Sequence, residues 1–379
     1  MSGAEGASMG IKQFGVFLLK KAPHVFQRTS MEDFAGKRLG IDMHQVLYQL
    51  FFRNAADETA TVEDLRRCMA RTVQRVGARP LFVFDGNTRG LKAAAHEQRK
   101  RVREDGLRAL EDLTVQVDAL VKASEAVASP SCDVVVDTGG SVAASPTPPA
   151  SPTSPRKKQH LKLEEVDGSG SGSGSAPAPA PTPTPLVECM IVALQARIDK
   201  KQRQLTCPTG ALFREARRAL GDIFGSHSVV TAADDAERHI AVLCSRGDID
   251  FAVSEDYDTL FFGSPNLVRH FLDDSKMVVL QRAAVQAALG LPSYEHLVDF
   301  GILCGCDVCD KVKGIGPVKA LALVQKYGSI DAMFARELKP RLDAEDPPVD
   351  FNYTFARARL TDRDNVPVPV LETAHEIPA

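Results

Sequence analysis

The chain has 379 residues, of which 44% are hydrophobic and 25% are charged, and its formal net charge is −3. These values are ordinary for a globular protein, and eight cysteines in this length do not form a disulfide-scaffold pattern. No run of 18 apolar residues and no signal peptide is present, so we expect neither a membrane span nor secretion. We therefore expect the cysteines to be reduced thiols.

Apolar segments alternate with amphipathic ones along the chain. The predicted strands are 37–43, 80–86, 228–237, 248–258, 270–272 and 277–281. The predicted helices between them are 45–52, 61–77 and 234–246. This alternation predicts an α/β fold with a mostly parallel central sheet that helices cover on both faces.

A change of composition divides the chain. Segment 124–186 consists of Gly-Ser repeats, Pro-Ala alternation and Ser-Pro dipeptides, so we predict a disordered low-complexity insertion. It separates an N-terminal region (1–123) from an internal region (187–331), and a tail (332–379) follows. Basic residues concentrate at 89–108 and 197–218, and such patches can bind phosphate despite the negative total charge.

Acidic residues follow the predicted strands at four places, and at a fifth place an acid follows an apolar helix. They are Asp42, Asp85, Asp235 with Glu237, Asp256 with Asp258, and Asp307. Because the carboxyl ends of parallel strands share one edge, we expect these acids to converge there. Converging carboxylates need a counter-charge, and Mg²⁺ or Mn²⁺ prefers oxygen ligands. Two such ions would suit in-line displacement at phosphorus.

The alternative for any single aspartate is a helix cap or a turn, and it is the commoner role. Repetition over five elements favours the metal site. Asp234, which directly precedes Asp235, is predicted to be the N-cap of the next helix, which leaves Asp235 and Glu237 in its first turn. Asp256 and Asp258, two apart on a strand, are predicted to project from the same side.

The segment 311–331 contains a Gly-Ile-Gly-Pro turn, with Gly314 and Gly316, before a helix on which Lys319 lies. Pro317 suits the first position of that helix, and the free N–H groups there can bind phosphate. Together with a helix at 294–304, this predicts a helix–two-turn–helix element that contacts the DNA backbone. The alternative is a plain Gly-Pro turn.

Six stretches have a combined pattern that is highly specific. They are MGIKQF (9–14), GIDMHQVLYQ (40–49), FVFDG (82–86), AADDAE (232–237), SEDYDTLFFGS (254–264) and DFGILCGCDVCDKVKGIGP (299–317). With these motifs the chain resembles the flap endonuclease family of XPG/Rad2-type structure-specific 5′ nucleases. The resemblance covers most of 9–123 and 187–330, and it implies a PIN-like nuclease fold.

The resemblance also implies roles for individual residues. The family's metal-binding acids fall on the seven acids named above, with Asp258 also in the catalytic group. Lys92 and Arg99 would polarise the scissile phosphate. The remaining implied DNA contacts are Tyr48, Arg53, Arg71, Asp235, Gly305, Asp307, Gly314, Gly316 and Lys319. Segments 89–123 and 187–222 resemble the helical arch through which a single-stranded flap passes.

Five features depart from the family pattern or leave alternatives. Asp235 stands where the family usually has the longer Glu. Eight residues precede Met9, where the family usually starts, and the C-terminus lacks the sliding-clamp box. Tyr48 could instead be a core tyrosine. The cysteines Cys304, Cys306 and Cys309 could suggest zinc, but no fourth ligand lies close in sequence, so reduced structural thiols are favoured.

Together these features predict a Mg²⁺-dependent 5′ flap endonuclease, also a 5′→3′ exonuclease, that acts in DNA replication or repair. We expect two Mg²⁺ ions, which Mn²⁺ could replace, and DNA with a 5′ flap or junction as the partner. We also expect the protein to be a monomer that does not associate with a membrane. We expect it to be located in the nucleus or at the site of viral DNA replication. The alternatives are an inactive nucleic-acid-binding relative and an RNA-directed nuclease.

Overall fold

We describe the protein from a computed structural model. The structure describes residues 11, 13–86, 93–128, 185–344, 350–364 and 366. Its strands are β1 (Gln27–Arg28), β2 (Arg38–Asp42), β3 (Arg79–Phe84), β4 (Val229–Thr231), β5 (Phe251–Val253), β6 (Asn266–Arg269) and β7 (Val278–Gln281).

The helices before the insertion are α1 (Phe14–Lys21), α2 (Met43–Arg53), α3 (Glu58–Val76) and α4 (Ala93–Ala128). After it come α5 (Pro185–Leu205), α6 (Gly210–Phe224), α7 (Ala236–Arg246), α8 (Asp258–Phe261), α9 (Arg282–Leu289) and α10 (Tyr294–Cys304). The last are α11 (Pro317–Tyr327), α12 (Ile330–Met333), α13 (Lys339–Leu342) and α14 (Tyr353–Thr361). Single turns of 3₁₀-helix lie at Pro23–Val25, Met31–Phe34 and Ser226–Ser228, and a π-helical turn at Phe334–Leu338.

The seven strands form one sheet in the order β1-β7-β6-β5-β2-β3-β4. The five from β6 to β4 are parallel, whereas β7 and β1 pair antiparallel at the other edge. The prediction of an α/β fold with a mostly parallel sheet is therefore confirmed.

Several predicted strands are shorter than expected. The segment 228–237 contributes only β4 before α7 begins, and 248–258 contributes only β5. The strand predicted at 270–272 is wrong, because β6 occupies 266–269 and ends before His270. His270 has a φ of 58°, which an extended strand cannot accommodate.

The two faces of the sheet are covered differently. Leu39 and Ile41 of β2 pack on one face in the cluster that α2, α3 and α6 complete. Between them, Gly40 faces the opposite side, where a Cβ would lie 2.4 Å from Ile249 Cδ1. The absence of a side chain therefore lets α7 pack close to β2, through Ile240, and this brings the start of α7 near the end of the strand.

A second core lies around α1, α8, α10, α11 and α14. Phe14 is fully buried there, with its ring centroid 5.0 Å from that of Phe261. The helix predicted at 294–304 is α10, and Pro317 occupies the first turn of α11. The helix–turn–helix arrangement was therefore predicted correctly.

The chain divides into two compact units, one of 1–107 with 203–379 and the other of 108–202. The described part of the second unit consists of the outer portions of α4 and α5. Within the predicted arch segment 187–222, α6 buries Ala216 and Leu220 in the cluster on one face of the sheet. Of the predicted insertion 124–186, residues 124–128 and 185–186 are helical, and 129–184 lies outside the described residues. No helix in the described ranges is long and apolar enough to cross a membrane.

Candidate active site

Four neighbouring parallel strands, β5, β2, β3 and β4, carry candidate ligands at their carboxyl ends. Asp42 is the last residue of β2, and Asp85 follows β3. Asp235 lies after β4, and Asp256 lies after β5. The topology thus places four acids, from positions more than 200 residues apart, at one edge of the sheet, which is the ligand-binding edge of open α/β sheets.

Asp42 is 1% exposed, and the backbone and a neighbouring strand fix its carboxylate. Its Oδ1 accepts a hydrogen bond from the His44 N–H at 3.0 Å and so caps α2, and its Oδ2 accepts one from Ser254 Oγ at 3.1 Å. Burial raises the pKa of this carboxyl well above its usual value, and the charges of Glu237 and Asp85 raise it further. These three acids therefore repel one another when ionised.

Asp85 links β3 to the start of α7. Its Oδ1 accepts a hydrogen bond from the Ala236 N–H at 2.8 Å. The Asp85 N–H donates to His44 Nδ1 at 3.4 Å, and the His44 ring stacks on Phe213 with centroids 4.5 Å apart. The position of the Asp85 carboxylate is therefore set by two elements besides its own strand.

The predicted N-cap of α7 is wrong: the cap residue is Asp235, not Asp234. Asp234 precedes the helix, and its carboxylate accepts the Asp235 N–H at 2.8 Å and hydrogen bonds from Arg238 and Arg359. Arg359 also lies 4.0 Å from Asp235 Oδ2. Glu237, 7% exposed, is in the first turn as predicted.

Asp256 and Asp258 do not lie on a strand, which corrects the expectation. β5 ends at Val253, and Asp258 begins α8. The Asp258 N–H donates to Asp256 Oδ1 at 3.0 Å, and Asp258 Oδ1 accepts the Ile11 N–H at 2.6 Å. Both acids are less than 10% exposed, so a turn rather than the pleat of a strand brings them to the site.

The donor set fits a divalent cation by its chemistry. The pKa of the buried Asp42 carboxyl is raised by burial and by the charges of Glu237 and Asp85, and a hard cation with oxygen ligands would stabilise its ionised form. Among the residues that the structure describes, no three acidic, histidine or cysteine side chains come close enough together to form a metal-binding group. The assignment of Asp42, Asp85, Asp235, Glu237, Asp256, Asp258 and Asp307 as ligands stays a prediction.

Asp307 comes from a different kind of structure, the segment between α10 and α11, which we name the 305–316 turn. Gly305 has a φ of 99° and Gly314 one of 72°, and Gly316 is the N-cap of α11. Lys319 is exposed on the first turn of that helix. The contact of this turn with a backbone phosphate stays a prediction.

The three cysteines of this region are free thiols. Cys304 is fully buried, which raises the pKa of its thiol. The sulfurs of Cys306 and Cys309 lie 3.7 Å apart, and a hydrogen bond between them lowers the pKa of Cys306 and raises that of Cys309.

The predicted DNA contacts on α2 and α3 lie at the surface. Tyr48 is 38% exposed, which argues against a core role, and Phe52 on the next turn is 47% exposed. Arg71 is exposed, and Arg53 forms an ion pair with Asp64 at 3.6 Å. Lys92 lies outside the described residues. Arg99 lies on α4, but its side chain is not described, so the role of both stays a prediction.

Sequence reasoning missed the residues that hold the acids. Ser254 joins two of them, because its hydroxyl donates to Asp42 and accepts the Asp256 N–H at 3.1 Å. Its place directly before the acids was the available signal. Arg238, only 2% exposed, and Arg359 are 121 positions apart in sequence, and nothing in the sequence pairs either of them with Asp234.

Comparisons with known proteins bear on the family of the chain. A family model of the XPG N-terminal domain matches residues 9–106, and one of the XPG I-region matches 227–307. Flap endonuclease 1 of Eremothecium gossypii is 29% identical over 337 residues, which cover 85% of this chain and 68% of that protein. Flap endonuclease 1-A of Sorghum bicolor is 27% identical over 378 residues, which cover 96% of this chain and 78% of that protein.

The fold has a solved counterpart. The catalytic core of Rad2, in complex with a DNA substrate, superposes with a TM-score of 0.54 at 16% identity, covering 92% of this chain and 87% of that one. At this identity the likeness establishes the α/β fold alone.

Proposed function

Since the chain belongs to the XPG/Rad2-type flap endonuclease family, we propose that it is a divalent-metal-dependent, structure-specific 5′ nuclease that cleaves DNA at 5′ flaps. Two Mg²⁺ ions and an additional 5′→3′ exonuclease activity are the finer parts of the proposal. The observation that carries it is the burial of Asp42 beside Glu237 and Asp85, whose charges raise its pKa. Such a carboxyl is costly to ionise unless a cation lies beside it.

The bound cations would lower the pKa of a water and stabilise negative charge on the phosphate that is cleaved. The chain's own residues supply the frame. The backbone N–H groups of His44, Ala236 and Ile11 donate hydrogen bonds to the carboxylates of Asp42, Asp85 and Asp258 respectively. Tyr48, exposed on α2, would stack on a base next to the cut.

The partners and location follow from the proposed substrate. DNA with a 5′ flap or junction is the proposed partner, and chromosomal DNA implies a nuclear location. We propose a monomer. The proposed contacts with DNA further include Arg53, Arg71, Gly305, Gly314, Gly316 and Lys319.

Cleavage of a labelled 5′-flap duplex in Mg²⁺ tests the proposal, with Asp258→Asn as the test variant. The amide oxygen of asparagine can still accept the Ile11 N–H, so the fold should survive while a ligand charge is lost. We expect cleavage to fall more than about 100-fold, because even outer-shell partners of metal ligands contribute about 10- to 100-fold.

The matched control is Asp222→Asn, which changes an aspartate on α6 whose side chain is 55% exposed. It should cleave like the wild type. A wild type that is inactive on flap, nicked and gapped DNA would refute the nuclease proposal. Preferential cleavage of a parallel RNA flap would instead identify an RNA-directed enzyme.

A further inference from the structure

The 305–316 turn contains two thiols that the proposed nuclease function does not use. The sulfurs of Cys306 and Cys309 face each other at 3.7 Å, whereas a disulfide requires about 2.05 Å. A movement of less than about 2 Å would join them. We propose that Cys306 and Cys309 form a reversible dithiol–disulfide site that hydrogen peroxide oxidises, and that its closure displaces Asp307.

The two cysteines differ in solvent accessibility, and at least one of them must be accessible to the oxidant. Cys306 is 7% exposed, whereas Cys309 is partly exposed and can meet an oxidant from solvent. Cys304 is fully buried in the apolar core and is a poor competitor. A Cys-x-x-Cys pair in a reducing compartment is typical of transient, reactive disulfides rather than structural ones.

The reaction is balanced with peroxide as the two-electron oxidant. One thiol of the pair loses its proton to solvent, and its sulfur attacks one peroxide oxygen. The O–O bond breaks, leaving a sulfenic acid and one water after protonation. The sulfur of the other cysteine then attacks the sulfenic sulfur, forming the S–S bond and releasing a second water. A dithiol reductant reverses the change by thiol–disulfide exchange.

The displacement of Asp307 follows from its position in the sequence. Asp307 lies inside the four-residue ring segment that the disulfide would close, between its two cysteines. The segment begins after Gly305, which has a φ of 99° and is the end of α10, so the turn rather than the helix absorbs the movement. An acid displaced in this way would bind a cation less well.

The test treats the full-length wild type with hydrogen peroxide and maps all its cysteines by differential alkylation and mass spectrometry. We expect a Cys306–Cys309 disulfide that dithiothreitol reverses. A calorimetric Mn²⁺ titration should show affinity about tenfold weaker in the oxidised form, comparable to losing a supporting contact of a metal ligand. Flap cleavage should fall to a similar extent and recover on reduction.

Three variants separate the possible outcomes. Cys306→Ser and Cys309→Ser should each abolish the oxidative loss, and agreement between them guards against a folding defect in the more buried position. Cys304→Ser should retain it. Both thiols remaining free after peroxide, or a disulfide that leaves Mn²⁺ affinity unchanged, would overturn the proposal. Absence of flap cleavage by the reduced protein would instead refute the proposed nuclease function. Of the three measurements, only flap cleavage depends on that function.

Discussion

Two regions that carry or contact candidate ligands are held in place by different forces. One is the C-terminal strap, residues 353–364, which packs against α7 and α10. The other is the 305–316 turn, which carries Asp307. In the strap, charged side chains form the contacts, whereas the turn depends on glycine backbone conformations and a pair of thiols.

The strap is fixed by arginines on both sides. Arg238 of α7 donates to Asp362 at 2.6 Å and to Asp234 at 3.2 Å. Arg357 of the strap binds the buried Asp299 of α10 through two nitrogens, at 2.8 and 2.9 Å. Bidentate, buried pairs of this kind resist displacement. The tail predicted to be divergent thus stabilises the helix that carries Glu237, whereas the turn has the geometry of a part that can move.

The largest effect should come from breaking the strap. Arg238→Ala removes a buried arginine that pairs with both Asp234 and Asp362, so we expect the free energy of unfolding to fall by about 3–5 kcal/mol in urea. Arg214→Ala, an exposed arginine on α6, is the control and should change little. A loss below about 1 kcal/mol would mean that the strap's ion pairs do not hold α7.

The turn should respond to backbone strain instead. Gly305→Ala places a side chain at a φ of 99° and puts its Cβ 3.0 Å from Lys311 Cδ, so we expect a cost of roughly 1–3 kcal/mol in the same unfolding assay. Gly316→Ala should not lower the free energy of unfolding, because Gly316 has a φ of −115° and no atom lies within 4 Å of the added carbon. Equal effects of the two substitutions would show that backbone strain does not define the turn.

The smallest effect concerns pH at the rim of the strap. Partial burial raises the pKa of the Asp331 carboxyl, but hydrogen bonds from Tyr353 and Arg357 outweigh it and hold the pKa below 3.8. The folded value is lower than the unfolded one, so its stabilisation is present above about pH 3.8 and is lost as pH falls through the folded pKa.

Asp331→Asn is the variant that isolates this contribution. The side chain is 55% exposed, so the difference from wild type at pH 7 should stay below about 1 kcal/mol. The difference in unfolding free energy should shrink further between pH 4 and pH 2. A difference that grows on acidification would contradict the assigned direction of the pKa.

Much of the fold was predictable because local patterns are strong where burial is one-sided. The boundaries of α10 and the turn before α11 came directly from apolar periodicity and the Gly-Ile-Gly-Pro signal. Strand lengths were overestimated because the acidic segments that follow β4 and β5 were counted as part of the strands. The cap of α7 was assigned one residue early, since Asp234 and Asp235 are chemically equivalent until the arginines of the tertiary structure select between them.

By itself, the sequence determined which acids follow which strands and hence their placement at a single sheet edge, because parallel topology sends every strand's carboxyl end the same way. Only the tertiary structure decided what holds them. Ser254 bridging Asp42 and the Asp256 backbone, and Arg359 reaching back to Asp234, are contacts across 212 and 125 positions. Such contacts depend on how helices and turns pack, and no local periodicity encodes them.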